Sequence, residues 1–260
     1  YATLATIFAQ DSEWDDALIY ITLALDNSSI FMENWAQLKF AIHVEKKQYM
    51  LALEVAQDLV RVKPKNKPYI EQMAGVYNVI KFEEESLAAL EFKLQQNLLT
   101  KSSEYVNLAN FYLYKKLPID SSKVIEKGLK LKILKNDIKN NELLSNAYII
   151  AKDFENAIRA LVNVTKISDD SKYDYRIGQI YLQNSDYSDA IKFFKIAREK
   201  GWKSKPGSLE LLIGICFIEL DNFDSARIEL AKASDLGKEE EVDPWISYMD
   251  STESLRAAST

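Results

Sequence analysis

The chain has 260 residues, with 33 Lys+Arg against 39 Asp+Glu, and its seven Gly and five Pro are under 5% of the total, where average usage gives roughly 12%. So few chain breakers exclude an all-β sandwich or barrel, which needs turn residues at short intervals, and disfavour a doubly wound α/β domain. A 47% apolar content supplies a core, no window is long and apolar enough for a membrane span, and one cysteine excludes an internal disulfide and a cysteine zinc cluster.

Helix joined to helix by short polar turns remains, and self-similarity at a fixed period organises it. The first unit, 1–30, carries Ala5 and Phe8 on one helix and opens the next with Trp14 and Ala17. The second, 31–66, has Tyr49 and Ala52 on its second helix, Phe40 or Ala41 at the small site, and Pro64 at its close. The third, 67–99, has Ala74, Tyr77 and Ser86, and the fourth, 100–136, has Ala109, Tyr112 and Ser121. The fifth, 137–170, has Ser145, Tyr148, Phe154 and Ala157; the sixth, 171–206, has Gly178, Tyr181, Tyr187 and Ala190. The seventh, 207–240, has Gly214, Phe217, Phe223 and Ala226. A last amphipathic helix within 241–260 is expected to start from Asp243 as N-cap with Pro244 in first helical position, and to cover the open end of the stack.

The anchor on the second helix recurs as Ala17, Ala52, Ser86, Ser121, Ala157, Ala190 and Ala226, at intervals of 35, 34, 35, 36, 33 and 36 residues. On the first helix a small residue admits close approach, and an aromatic three positions on fills the space beside it. Spacings of three and four place these side chains on one face, the seam of an antiparallel helical hairpin.

These residues resemble the tetratricopeptide repeat, a helix-turn-helix unit patterned Trp, Leu, Gly, Tyr, Ala, Phe, Ala, Pro. The resemblance implies an all-α fold: a right-handed superhelix (α-solenoid) of about seven such hairpins plus a C-terminal capping helix. More narrowly, residues 69 to about 250 resemble bacterial tetratricopeptide proteins encoded beside TonB, ExbB and ExbD homologues. The stretches that carry it are QNLLTKSSEYVNLANFYLYKKLPIDSSKVIEKGLK (96–130), ELLSNAYIIAKDFENAI, ISDDSKYDYRIGQIYLQNSDYSDAIKFFKIAREKGW and LLIGICFIELDNFDSARIELAKA, followed by a helix containing Trp245. Ser121 and Ser122 stand where that family tends to have paired Ala, and residues 1–66 match weakly, as if the sequence began inside a longer protein. The narrower resemblance implies a periplasmic protein with TonB- or ExbB-type partners and adds no catalytic residue. The chain opens on Tyr1 with no basic-then-apolar leader, so its first residues do not report a compartment.

A search for reaction chemistry points away from an enzyme and from any cofactor. His43 is the only histidine, near a helix end where a surface or cap role is expected, and the glycines form no phosphate-binding loop. Carboxylate groups such as Asp15 with Asp16, or Glu83 to Glu85, stand at starts of second helices, where they complement the helix dipole. Cys216, in LLIGICFIEL, reads as a core residue. Residues 1–60 carry net −6, 61–140 net +6, 141–210 net +1 and 211–260 net −7. The basic middle suits an acidic partner or a solvated turn region, and no basic stripe interleaved with aromatics points to nucleic acid.

In a tetratricopeptide superhelix the first helices line the concave face. With Gly178 counted as position eight, position nine holds Asn110, Asn146 and Gln179, position six holds Asn107 and Arg176, and position two holds Lys172. Amides both donate and accept, so the six form a candidate groove for an extended peptide; the same ladder also fits a solvated polar face. The co-chaperone type of repeat domain uses a Lys/Asn/Arg carboxylate clamp. Asn110, Lys172 and Arg176 match it, but Val106 and Leu143 stand where Lys and Asn belong, which leaves a peptide- or tail-binding adaptor as the alternative reading.

Overall fold

A computed structural model describes residues 1–258, and every regular element among them is helical. The helices are α1 (Ala2–Gln10), α2 (Trp14–Asp26), α3 (Glu33–Glu45), α4 (Tyr49–Val62), α5 (Lys67–Val79), α6 (Glu83–Gln95) and α7 (Ser102–Tyr114). They continue as α8 (Pro118–Lys130), α9 (Ile138–Ile150), α10 (Phe154–Thr165), α11 (Ser171–Gln183), α12 (Tyr187–Glu199), α13 (Ser208–Glu219), α14 (Phe223–Ala233) and α15 (Glu239–Ala258). The chain divides into two compact units, Tyr1–Phe111 and Tyr112 onward. In the first, α1 packs on α2, α3 on α4 and α5 on α6; in the second, α9 packs on α10, α11 on α12 and α13 on α14. Within each unit the second helix of one hairpin lies against the first helix of the next, as α2 on α3, α4 on α5, α8 on α9, α10 on α11 and α12 on α13.

One turn recurs seven times. Five residues before every anchor, a non-glycine residue adopts a left-handed backbone: Ser12, Lys47, Lys81, Lys116, Lys152, Ser185 and Asp221, with φ between 55° and 63°. The next N–H donates to the carbonyl five residues back, as from Glu13 to Phe8 at 2.8 Å and from Asn222 to Phe217 at 2.9 Å. This is the αL helix stop, which usually uses glycine. It satisfies the last carbonyls of the first helix and reverses the chain in three residues. The scarcity of glycine therefore reflects turns built from Lys, Ser and Asp. Several helix starts add side-chain caps: Asn66, Asp137, Asp153, Asp170 and Asn222 each accept from a backbone N–H two or three residues on.

All seven anchors are buried. Opposite them, close approach depends on paired volumes at position eight and at the residue four beyond the anchor. A Cβ on Gly178 would meet the Phe194 ring at 2.6 Å, and one on Gly214 would meet Leu230 Cδ2 at 2.7 Å. In hairpin 2 the sizes are reversed: Phe40 is buried in one cluster with Ala52 and Ala56. Phe40, not Ala41, therefore holds the small site, because Ala56 has made room for it.

The same register corrects the expectation for His43. It stands three residues after Phe40, in the slot that Phe8, Tyr77 and Tyr148 fill elsewhere, and its carbonyl accepts the turn bond from Gln48 at 2.8 Å. Its ring is buried and lies 2.9 Å from Gln48 Oε1 through Nδ1, so it packs as an aromatic and not as a surface cap.

The capping helix also differs from expectation at its start. It begins at Glu239, and Pro244 lies inside it. A π-type turn over Ser234–Lys238, with Gly237 at φ 88°, ends hairpin 7 and lets the helix start four residues before Asp243. Glu239, Glu240 and Glu241 then supply the first-turn negative charge. The helix does close the stack: Val242 and Met249 are buried against Leu230 and Ala233, with Trp245 and Ile246 beside them.

Candidate partner-binding groove

The first helices of the second unit present a cleft of about 430 Å³, lined by Ile149 of α9, Arg176, Gln179, Ile180, Leu182 and Gln183 of α11, and Leu212 of α13. Successive turns of α11 place Arg176, Gln179 and Gln183 in one row, because residues three and four apart share a helix face. The lining therefore mixes a guanidinium and two amides with aliphatic walls.

Four of the six candidate residues lie in this unit. Arg176 Nη2 donates to Asn146 Oδ1, joining α9 to α11. Gln179 is exposed, and its Nε2 donates to Tyr175 Oη at 3.1 Å. Lys172, in the first turn of α11, lies over the Tyr173 ring at 4.7 Å, with Asp170 at 3.4 Å and Glu142 at 4.0 Å, and does not line the cleft. Asn107 and Asn110 are exposed on the part of α7 that belongs to the first unit. The Arg176 to Asn146 bond was not legible in the sequence. It leaves Asn146 half-buried and its acceptor engaged, with the remaining capacity of that amide on its N–H₂ side.

Behind the groove, charged side chains occupy position four, where the repeat pattern has Trp. Asp174 is buried and pairs with Lys200 Nζ at 2.8 Å. Glu210 faces Arg198 at 3.9 Å, and Arg198 bonds Glu229 at 2.8 Å. Burial works to raise the Glu229 carboxyl, but Arg198 and Lys232 outweigh it and hold it below its ordinary range. Truncating one partner would strand a buried charge, so these pairs fix the helices that carry the groove.

The first unit has its own ionic junction. Lys93 is 3% exposed and reaches Glu71 at 2.9 Å and Glu104 at 3.0 Å, while Lys67 reaches Glu104 at 2.9 Å. The Thr100 and Lys101 amides each donate to Glu104 at 2.9 Å. Burial alone would raise the Glu104 carboxyl; hydrogen bonds from Lys67, the Thr100 amide, Lys93 and the Lys101 amide bring it down to about 2. With its lone pairs saturated, Glu104 is a junction between α5, α6 and α7 and a poor proton acceptor for chemistry. Cys216 is fully buried, and burial pushes its thiol up to about 12, which suits a core residue. Among the described residues no cluster of three His, Cys, Asp or Glu is arranged to hold a metal ion, and no helix is long and apolar enough to cross a membrane.

No protein-family model matches the chain, and no curated protein sequence does. Among solved structures it is similar to YrrB, described as a TPR protein with an unusual peptide-binding site. The TM-score is 0.50 at 15% identity, over 76% of this chain and 100% of that one. The chain has the tetratricopeptide-repeat fold. It is also similar to the structure of Naa15/Naa10 bound to HypK-THB, with a TM-score of 0.67 and 14% identity over 90% of this chain and 36% of that one. A tetratricopeptide repeat protein from Parabacteroides merdae ATCC 43184 aligns over 94% of this chain and 95% of its own length at 12% identity, with a TM-score of 0.45. At these identities the likeness concerns the fold, and function has to be argued from the groove.

Proposed function

We propose that this protein is a non-catalytic protein–protein interaction scaffold that takes an extended peptide or tail of its partner along its first helices. The observation that carries the reading is the cleft lined by α9, α11 and α13, where Arg176, Gln179 and Gln183 stand in a row between Ile149 and Leu212. Such a lining offers donors and acceptors to a peptide backbone, a cation to a carboxylate, and aliphatic walls to side chains. In the same unit Asn146 and Lys172 extend the set of candidate contact residues; Asn107 and Asn110 are candidate contacts of the first unit, considered by itself. A peptide-binding site on the same fold, as described for YrrB, is compatible with this use.

The partner we favour is a TonB- or ExbB-type protein of an outer-membrane uptake system, with the periplasm as compartment. This rests on the resemblance carried by residues 96–130 and the repeats that follow. A peptide- or tail-binding adaptor of another pathway is the alternative. Purification of the protein from its own cells, with identification of bound proteins, separates the two. Recovery of TonB- or ExbB-type proteins supports the first, and their consistent absence beside another partner supports the second. The groove assignment is tested separately by peptide binding: Gln179→Ala with Gln183→Ala is expected to weaken it, and unchanged affinity counts against the groove.

A further inference from the structure

The net charge of +6 over residues 61–140 is not used by the cleft of the first helices, and part of it gathers in one place. α8 carries Lys123, Lys127 and Lys130 at spacings of four and three, which puts them on one helix face. That face forms one wall of a second groove, of about 640 Å³; α10 forms the other wall with Arg159, and Leu144 and Tyr148 of α9 make the floor. A further cleft of about 320 Å³ shares Lys123, Glu126, Tyr148 and Asn156 with it and carries it on to Ile119, at the start of α8. The groove therefore runs from Ile119 to Lys130, about 16 Å at about 1.5 Å per residue, or about three helical turns. All of these residues lie in the second unit.

The cations are a property of this groove and not of the repeat. The corresponding groove of the first unit, between α4 and α6, is lined among the described residues by Val60, Met73, Tyr77 and Phe92 with Glu85, and by no cation. In the groove between α8 and α10 the carboxylates are already engaged. The Tyr148 hydroxyl donates to Glu126, and Asp153 caps α10 and accepts from Asn156 Nδ2 at 2.8 Å. Lys123 and Arg159, by contrast, keep 68% and 67% of their side-chain surface exposed. Their ion pairs, with Asp120 at 3.7 Å and Glu155 at 2.8 Å, are with neighbours on their own helices and are worth little in water.

We propose that this groove is a second binding site, separate from the cleft of the first helices, for an acidic amphipathic helix of a partner protein. Charge complementarity sets the sign, because four cations stand against two carboxylates that are already bonded. The walls set the form. They are helices whose backbone groups are paired within themselves, so an extended segment finds no main-chain partner there. A helix satisfies its own backbone and meets the walls with side chains alone. Acidic residues at spacings of four and three on that helix match Lys123, Lys127 and Lys130, and an aliphatic residue between them meets Leu144 and Tyr148. With an amide-lined cleft and a cationic groove on one unit, the scaffold holds two partners of different chemistry.

The test uses the full chain and a labelled helical peptide of about three turns, with Glu at those spacings and Leu on the adjoining face, beside a control in which Gln replaces every Glu. Fluorescence anisotropy is expected to show the Glu peptide binding about tenfold or more tightly than the control, with the difference shrinking as salt is raised. Lys123→Glu with Arg159→Glu is expected to abolish that preference, and a peptide with Lys in place of Glu to bind this variant better than the unaltered chain. Both side chains are exposed, so folding is retained. Gln179→Ala with Gln183→Ala is expected to leave the preference unchanged, which separates this groove from the cleft of the first helices. Equal affinity for the Glu and Gln peptides, a preference that survives the double charge reversal, or one that the glutamine variants remove, overturns the proposal. Tighter binding of a single-stranded oligonucleotide of matching length, lost in the charge-reversed variant, would assign the groove to nucleic acid and overturns it too. So does salt-sensitive self-association of the unaltered chain that the charge reversal removes, which would assign the groove to a second copy.

Discussion

The exchange of volumes in hairpin 2 gives a quantitative test of how these hairpins are held together. Hairpins 6 and 7 set glycine against a bulky residue, Gly178 against Phe194 and Gly214 against Leu230, whereas hairpin 2 sets Phe40 against Ala56. Phe40→Ala removes a buried ring and is expected to cost about 3–5 kcal/mol, the usual range for such a deletion. Ala56→Leu inserts a branched side chain at a fully buried position beside that ring and is expected to cost about 1–3 kcal/mol. If the sites were independent, the double variant would lose about 4–8 kcal/mol. The two changes together instead reproduce the small-against-bulky pairing of hairpin 1, where Ala5 packs with Ile21, so the expected loss is about 1–2 kcal/mol and the coupling is several kcal/mol in the restoring direction. Repeat arrays need not unfold in one step, so the assay is native-state hydrogen exchange on the α3 and α4 amides, read beside urea unfolding. Additivity within about 0.5 kcal/mol would show that Phe40 and Ala56 do not share the seam, and would refute the register assigned to hairpin 2.

Three other predictions follow from single sites. Lys81→Gly, in a turn where φ is 61°, relieves a left-handed backbone that costs an L-residue about 1–2 kcal/mol; urea unfolding should show a gain of about 0.5–1 kcal/mol after the entropy of glycine is subtracted. Ser121 Oγ is buried with no hydrogen-bond partner, so Ser121→Ala is expected to be neutral or stabilising by up to about 1 kcal/mol, and a clear loss of stability would contradict that environment. Glu104 has a folded pKa depressed to about 2 from an ordinary 4.5, so its contribution is present above pH 4.5 and is lost as pH falls toward 2. Acid titration of stability should therefore be shallower for Glu104→Gln than for the unaltered chain across that window.

The period, the anchors and the second-helix starts were legible because they rest on side-chain size and helical spacing. Trp14, Tyr49, Phe154, Tyr187 and Phe223 all begin helices as their spacing to the anchors implied. Hairpin 2 was ambiguous because His43 fills an aromatic slot and Phe40 a small one, a compensation visible only once Ala56 is seen opposite. The left-handed turns were hidden because Lys and Ser carry no turn signature of their own. Asp243-Pro244 has the pattern of a helix start, yet Gly237 ends hairpin 7 earlier and the helix begins before the proline. Of the position-nine residues counted off in sequence, Asn110, Asn146 and Gln179, the cleft is lined by Gln179 alone. The bond from Arg176 to Asn146 spans two helices, so only their packing reveals it.

The most direct test of the groove reading is site-specific photo-crosslinking in the protein's own cells. The probe replaces Gln179 within the cleft or, as control, Lys192 on the exposed face of α12. The account predicts a discrete crosslinked partner from position 179, none at the same mass from 192, and loss of that product in Arg176→Ala. Equal crosslinking from both positions, or a product from 179 that Arg176→Ala leaves unchanged, would contradict it.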